Sequence, residues 1–233
     1  MNRKCLLEIS VQTVEAAVAA ERGGADRIEL CANLAIGGVT PGVELFRAVR
    51  AKLYIPIFSM VRPRAGDFVY SNAEFAEMKR AISSAKESGM DGVVLGLLTN
   101  HRRVDIERTK ELVEVAKPLP VTYHRSFDEI SDLRQALEDV INTGARRILT
   151  SGGAKGALEG AAVLAELVAT ARDRITIVPG AGINASNISQ VVKQTGAREF
   201  HSGLGSTLPY GSSDHEKFET EVRKLTKQLA PFS

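Results

Sequence analysis

Short apolar runs alternate along this chain with longer segments in which apolar residues recur at helical spacing. The runs are rich in β-branched and aliphatic residues, as over residues 6–11 and 55–61, which is typical of buried parallel strands. Their starts lie 21 to 37 residues apart, near Cys5, Asp26, Ile55, Gly92, Leu119, Arg146, Arg174 and Arg198. The pattern predicts eight strands.

Eight segments with helical spacing follow these runs, over residues 14–22, 44–52, 73–88, 106–117, 133–142, 158–172, 185–194 and 216–229. Thr13, Asn72 and the pair Ser131 and Asp132 are candidate N-caps. Helix-to-strand turns are short and contain glycine, whereas strand-to-helix connections such as residues 32–41 and 63–72 are longer. This asymmetry predicts an α/β fold, a single (β/α)8 TIM barrel over residues 1–233. An open doubly wound sheet is the alternative, but no Gly-rich turn follows the first strand.

The charge balance adds little beyond this fold. Thirty Lys and Arg stand against 28 Asp and Glu, which argues against a nucleic-acid partner. The first apolar run already contains Glu8 and is too short and too polar for a signal peptide or a membrane span. We therefore expect a cytoplasmic protein without a membrane partner. Cys5 and Cys31 fall at opposite ends of parallel strands and should stay unpaired.

Four polar side chains lie at or near the ends of apolar strands, namely Glu8, Glu29, Arg62 and His124. Strand parity directs such residues into the barrel. Two carboxylates, a guanidinium and an imidazole in one cup suit a small-molecule site, in which Glu8, Glu29 and His124 are candidate catalytic residues for proton transfer. The alternative is that the charges pair and only fill the upper layer of the barrel.

Arginines and glycines at the same rim suggest that the ligand is an anion. Arg62 and Arg64 flank Pro63, and guanidinium groups suit a carboxylate or a phosphate; a surface pair of Arg64 with Asp67 is the alternative. Glycine clusters after the later strands can present backbone N–H groups to an anion. The predicted ligand-binding residues are Arg62, Arg64, Arg125, Asp128, Ser151, Gly152, Gly153, Gly180, Gly182 and His201.

Soft donors near this rim raise the possibility of a metal. Cys31, Met60 and His124 form a set that suits Cu(I), although a free buried Cys31 and a gap-filling Met60 are the ordinary interpretation. No proposed strand after Lys4 contains lysine, which argues against a Schiff-base aldolase, and neither a two-metal site nor a Ser-His-Asp triad is evident. Two possibilities remain: metal-free acid–base chemistry on a small anion, with no organic cofactor implied, or binding without turnover.

Several motifs in order resemble the CutC family: residues 26–31, 37–41, 60–64, 91–96, 122–128 and 147–153. The resemblance runs from about residue 8 to residue 201. It implies a TIM barrel, a homo-oligomer that we expect to be a homodimer, and a role in copper homeostasis. Cys31 matches the position proposed as a copper ligand in the family. A metal-free enzyme acting on a phosphorylated or carboxylated metabolite is the alternative, and an interaction scaffold with an exposed apolar patch is a third possibility.

Overall fold

Strands and helices alternate through residues 5–232, the part of the chain that the computed structural model describes. Within these residues the eight strands are β1 Leu6–Val11, β2 Arg27–Leu30, β3 Ile57–Met60, β4 Gly92–Leu95, β5 Val121–Tyr123, β6 Arg147–Thr150, β7 Thr176–Pro179 and β8 Glu199–Ser202. Each begins within two residues of its predicted start. The strand prediction is therefore confirmed.

The α-helices of the same residues are α1 Val14–Gly23, α2 Val43–Arg50, α3 Asn72–Glu87, α4 Ile106–Ala116, α5 Leu133–Thr143, α6 Ala161–Ala171, α7 Ile188–Thr195 and α8 His215–Leu229. Thr13 and Asp132 cap α1 and α5 as predicted, since their side chains accept backbone N–H groups three residues on. The predicted cap Asn72 is wrong. Ser71 caps α3 instead, because Ser71 and Glu74 form a reciprocal capping box.

All strand pairs in the sheet are parallel, in the order β7-β6-β5-β4-β3-β2-β1-β8. The end strands β7 and β8 lie side by side and bring the cylinder close to closure. The predicted (β/α)8 barrel is thus confirmed. None of the helices between residues 5 and 232 is long and apolar enough to cross a membrane.

Alternation along the strands separates two environments. Ile28 and Leu30 of β2 belong to the main apolar core between the strands and the helices, whereas Arg27 and Glu29 face the inside of the barrel. The guanidinium groups of Arg27 and Arg147 lie 4.9 and 4.4 Å from the ring of Phe58. The barrel interior is therefore charged as well as apolar, and its charged side chains lie beneath the candidate site described next.

Candidate functional site

A pocket of about 550 Å³ opens at the carboxyl-terminal rim of the barrel. Strands β1, β2, β3, β6 and β8 contribute residues to its wall, and the loops after β2, β3, β5, β6, β7 and β8 contribute the others. The predicted site residues that line it are Glu29, Met60, Arg62, His124, Arg125, Asp128, Gly153, Gly182 and His201, while Glu8, Cys31, Arg64, Ser151, Gly152 and Gly180 do not. Most of the predicted chemistry therefore surrounds one pocket, which we call the rim pocket.

Glu8 lies buried in the network of charges on the inner faces of β1, β2 and β8. Arg27 donates Nε–H to Glu8 at 2.5 Å and a terminal N–H to Glu199 at 2.6 Å, and His201 Nδ1 lies 2.7 Å from Glu8. Burial alone would raise the pKa of Glu8, but the charges of Arg27 and His201 outweigh it and hold that pKa well below its usual range. Glu8 is thus a paired carboxylate that orients His201.

His201 connects this network to Glu29. Its Nε2 lies 3.8 Å from Glu29 Oε2. Burial lowers the pKa of His201, but the carboxylates of Glu29 and Glu8 dominate and raise it. Burial, together with the charge of Glu8, raises the pKa of Glu29, and Glu29 Oε1 has no hydrogen-bond partner. Donor atoms of Glu8, Glu29 and His201 all lie within 4.8 Å of one another; we call these three residues the floor cluster.

His124 provides a neutral imidazole on another side of the pocket. Its Nδ1 accepts the backbone N–H of Ser126 at 3.2 Å, so in the neutral ring the proton is assigned to Nε2. Burial, reinforced by the charge of Arg62, lowers the pKa of His124 to about 3. Nε2 is buried without a partner. His124 therefore offers an N–H donor and no positive charge at neutral pH.

The two predicted arginines differ in position. Arg62 lines the pocket, stacks 4.8 Å from the ring of Phe68 and donates to the carbonyl groups of Gly38 at 3.2 Å and Gly66 at 2.9 Å. Arg64 is turned away and pairs with Asp67 at 2.8 Å and with Glu74 at 2.5 Å. The structure does not bring Arg64 into the rim pocket; it has the surface pairing that the sequence left as the alternative.

The glycine loop after β6 has an internal anion. Asp128 accepts the backbone N–H of Ser151 at 3.0 Å and that of Gly153 at 3.2 Å, and Arg125 donates Nε–H to it at 2.8 Å. Gly152 and Gly153 have φ angles of 73° and 74°, a left-handed pair that glycine adopts without strain. Of the N–H groups predicted to meet a ligand here, those of Ser151 and Gly153 are directed at Asp128 and that of Gly152 at the Thr150 hydroxyl.

The other glycine loop, after β7, is different. Gly180 donates its N–H to the backbone carbonyl of Thr150 at 2.9 Å. A Cβ atom at this position would lie 2.4 Å from Leu149 Cδ1. Gly182 is exposed and lines the rim pocket. Of the two glycines predicted in this loop, only Gly182 is placed to meet a ligand.

Of the predicted soft donors, Cys31 and Met60 share one buried cluster, and Met60 and His124 line the rim pocket. Cys31 is buried with Phe58, Met60 and Val94, and its thiol donates to Glu29 Oε2 at 3.5 Å. Burial and the Glu29 carboxylate raise the pKa of the Cys31 thiol well above its ordinary value. Within residues 5–232, the floor cluster is the group of His, Cys, Asp and Glu side chains with the geometry to hold a metal, and Cys31 is outside it. Cys5 and Cys31 are both unpaired, as predicted.

Buried Arg27 and half-buried Glu199 are members of this site that the sequence analysis did not predict. Their signal was strand parity, since Arg27 lies two residues before Glu29 and Glu199 two residues before His201. Glu29 and His201 were predicted as site residues, and the residues two positions before them lie on the same inward face of their strands. Charged residues at the amino-terminal ends of strands look like ordinary solvent-facing boundaries, and these two were therefore missed.

Fold and site together define a (β/α)8 barrel with a buried acid–base cluster under a rim pocket. The sequence profile of the CutC family matches residues 5–206, and the chain belongs to that family. It is 45% identical over 206 residues to the copper homeostasis protein cutC homolog of Homo sapiens, covering 88% of this chain and 76% of the relative. The Mus musculus homolog is 42% identical over 234 residues, 95% of this chain and 86% of the relative. The crystal structure of the putative copper homeostasis protein CutC from Streptococcus agalactiae is similar with a TM-score of 0.82 at 31% identity, covering 85% of this chain and 98% of that chain.

Proposed function

We propose that this protein takes part in copper homeostasis, the role named for its human and mouse relatives, and that it binds a copper ion at the floor cluster. The observation that carries the proposal is the convergence of donor atoms from Glu8, Glu29 and His201 within 4.8 Å. Glu29 Oε1 has no partner, so one ligand atom is available without breaking a hydrogen bond.

The donor types bear on the oxidation state of the ion. Carboxylate oxygens and an imidazole nitrogen suit Cu(II), whereas thiolate and thioether ligands suit Cu(I). The floor cluster therefore favours Cu(II), in contrast to the Cu(I) expected from Cys31 and Met60. Cys31 still borders the cluster, 3.5 Å from Glu29 Oε2, and Met60 lines the pocket. Copper binding must displace the proton of His201, so the affinity should fall as the pH falls.

Copper titration of matched variants tests this proposal. We expect Glu29→Gln to weaken Cu(II) binding by about tenfold or more, because the amide keeps the shape of the side chain and removes the ionised ligand. Cys31→Ser should leave Cu(II) affinity unchanged, and Glu166→Gln, on the exposed face of α6, is the control. The measurement is competition with a chelator, in air for Cu(II) and anaerobically for Cu(I). Equal Cu(II) affinity in wild type and Glu29→Gln would exclude the floor cluster, and equal Cu(I) affinity in wild type and Cys31→Ser would exclude Cys31.

A second function, acid–base chemistry on a small anionic metabolite, is favoured by a specific observation. Glu8 pairs with His201 Nδ1 at 2.7 Å, which leaves His201 Nε2 directed at Glu29. A buried carboxylate with a raised pKa and the neutral N–H of His124 face the same pocket. A carboxylate base paired with a neutral imidazole donor is an arrangement that removes a proton next to a carbonyl group.

A ligand screen followed by proton exchange tests this second function. Phosphorylated and carboxylated metabolites are first screened for an increase in melting temperature. Stabilising compounds are then incubated in D2O and followed by NMR. We expect wild type to exchange a carbon-bound proton, and Glu29→Gln to bind the same compounds without exchange. Exchange at the same rate in both proteins would rule out Glu29 as the base.

The proposal includes two further properties, a cytoplasmic location, expected from the short and polar first apolar run, and a homodimer, expected from the family. Cell fractionation tests the location. Sedimentation of the purified protein tests the dimer, and a monomer at micromolar concentration would contradict it.

A further inference from the structure

Three buried polar atoms of the rim pocket lack hydrogen-bond partners, namely His124 Nε2, Glu29 Oε1 and Arg62 Nε. Their residues are 4%, 3% and 6% exposed. Buried polar groups in folded proteins are nearly always paired, so unpaired ones in a pocket point to a ligand. The first is an N–H donor and the second an acceptor. Their complement is a ligand that carries an acceptor oxygen beside a hydroxyl group.

Backbone N–H groups of the loops after β7 and β8 also line the pocket. The N–H groups of Gly182, Gly203, Gly205 and Ser206 have no acceptor among residues 5–232, and all four residues line the pocket. Adjacent unpaired N–H groups form a concave site for an oxyanion. In (β/α)8 barrels the loops after the seventh and eighth strands often bind phosphate.

The loops after β7 and β8 differ from the neighbouring loop after β6, in which a carboxylate of the protein itself accepts backbone N–H groups. The N–H groups of Ser151 and Gly153 after β6 already bind Asp128. The side chains of the described residues that accept backbone N–H groups in the loops after β7 and β8 are amides and hydroxyls, not carboxylates. Arg62 and His201 also line the pocket, and Arg62 Nε, which has no partner, is a further donor for the anion. The volume of about 550 Å³ suits a small metabolite.

We propose that the rim pocket binds a small hydroxy-carbonyl phosphate. Its phosphate lies on the N–H groups of Gly182, Gly203, Gly205 and Ser206, and its hydroxy-carbonyl end lies between His124 Nε2 and Glu29 Oε1. The inference deepens the second function proposed above, because it names the class of anion. It also applies to a protein that binds this ligand without turning it over.

Three related probes test the two ends of the ligand separately by calorimetry. Dihydroxyacetone phosphate carries both ends, glycerol 3-phosphate lacks the carbonyl group, and dihydroxyacetone lacks the phosphate. We expect the first to bind at least about tenfold more tightly than either of the others, since each lacks one set of hydrogen bonds. His124→Gln should reduce the preference for dihydroxyacetone phosphate over glycerol 3-phosphate.

A charge placed in the loop after β8 tests the phosphate end. Ser206→Asp should weaken dihydroxyacetone phosphate by about tenfold or more through charge repulsion and leave dihydroxyacetone unaffected. Ser83→Asp, on the exposed face of α3, is the control with the same charge change. The inference is overturned if dihydroxyacetone phosphate does not bind at millimolar concentration, or if the two serine variants weaken it equally. Proton exchange on a carboxylated compound together with no phosphate binding would leave the second function intact and reject only this inference.

Discussion

Replacing Arg27 with Met is expected to lower the free energy of unfolding by about 3–5 kcal/mol at pH 7. Arg27 is 7% exposed and holds two carboxylates, Glu8 at 2.5 Å and Glu199 at 2.6 Å. Removing the guanidinium leaves the buried negative charge of Glu8 without its nearest positive partner. Urea unfolding of the two proteins measures the difference. Met keeps much of the side-chain volume, so the effect reports the charge more than a cavity.

The same substitution at a surface arginine is the control. Arg174 makes two hydrogen bonds to Glu138 at 2.7 and 2.8 Å, but both side chains are exposed, and Arg174→Met should leave the stability nearly unchanged. A pH series adds a second criterion. In wild type the pKa of Glu8 lies below its unfolded value, so its contribution to stability is present above that value and lost on acidification.

In Arg27→Met the pKa of Glu8 should rise above its unfolded value, so the folded variant takes up a proton that wild type does not. The loss of stability should therefore shrink as the pH is lowered toward 4. A loss no larger than that of Arg174→Met would show that the buried network does not depend on Arg27. A loss that does not change with pH would show that it does not arise from the charge of Glu8.

The barrel was predictable because its signal is local and repeated. Each buried strand must be apolar on the side that meets the helices, and each helix must end before the next strand begins, so residues such as Ile28, Leu30 and Val93 mark the elements directly. The helix boundaries at 158–160 and 185–187 were wrong, because these residues form turns before α6 and α7. Their composition permits a helix, and only the packed structure shows the turn.

The site was predictable only where strand parity decides it. Parity directed Glu8, Glu29, Arg62 and His124 inward, and of these Glu29, Arg62 and His124 line the rim pocket. It did not reveal partners, because these are distant in sequence: Arg27 reaches Glu199 across 172 positions. Arg64 shows the same limit, since its sequence fits an anion site equally well, and only the positions of Asp67 and Glu74 turn it outward.

The loop after β6 shows most clearly that a motif can indicate an anion-binding site without showing which anion it binds. The glycines of residues 151–153 indicate N–H groups that face an anion, and the structure supplies that anion from Asp128, 23 residues before Ser151. Asp128 was predicted as a ligand-binding residue, and it does line the pocket. Its carboxylate nevertheless accepts hydrogen bonds from other groups of the protein. Replacing Asp128 should therefore first of all lower the stability of the fold.

Replacing Asp128 with Asn is expected to lower the free energy of unfolding by about 2–4 kcal/mol. The carboxylate accepts the N–H groups of Ser151 and Gly153 at 3.0 and 3.2 Å, the Ser151 hydroxyl at 3.0 Å and the Thr150 hydroxyl. An amide in its place keeps the shape, loses the charge and turns an NH2 group toward these donors. Thermal and urea unfolding measure the loss.

Asp132→Asn is the matched control, because Asp132 caps α5 by accepting the N–H of Gln135 at 3.0 Å, a role that Asn performs about as well. Its stability should stay close to that of wild type. If Asp128→Asn also unfolds like wild type but binds dihydroxyacetone phosphate more weakly, Asp128 acts on the ligand and the loop after β6 does not depend on it. If it loses stability and the N–H groups after β6 lose protection from hydrogen exchange, Asp128 is the internal anion of that loop, and the loops after β7 and β8 are left to bind a ligand from solution.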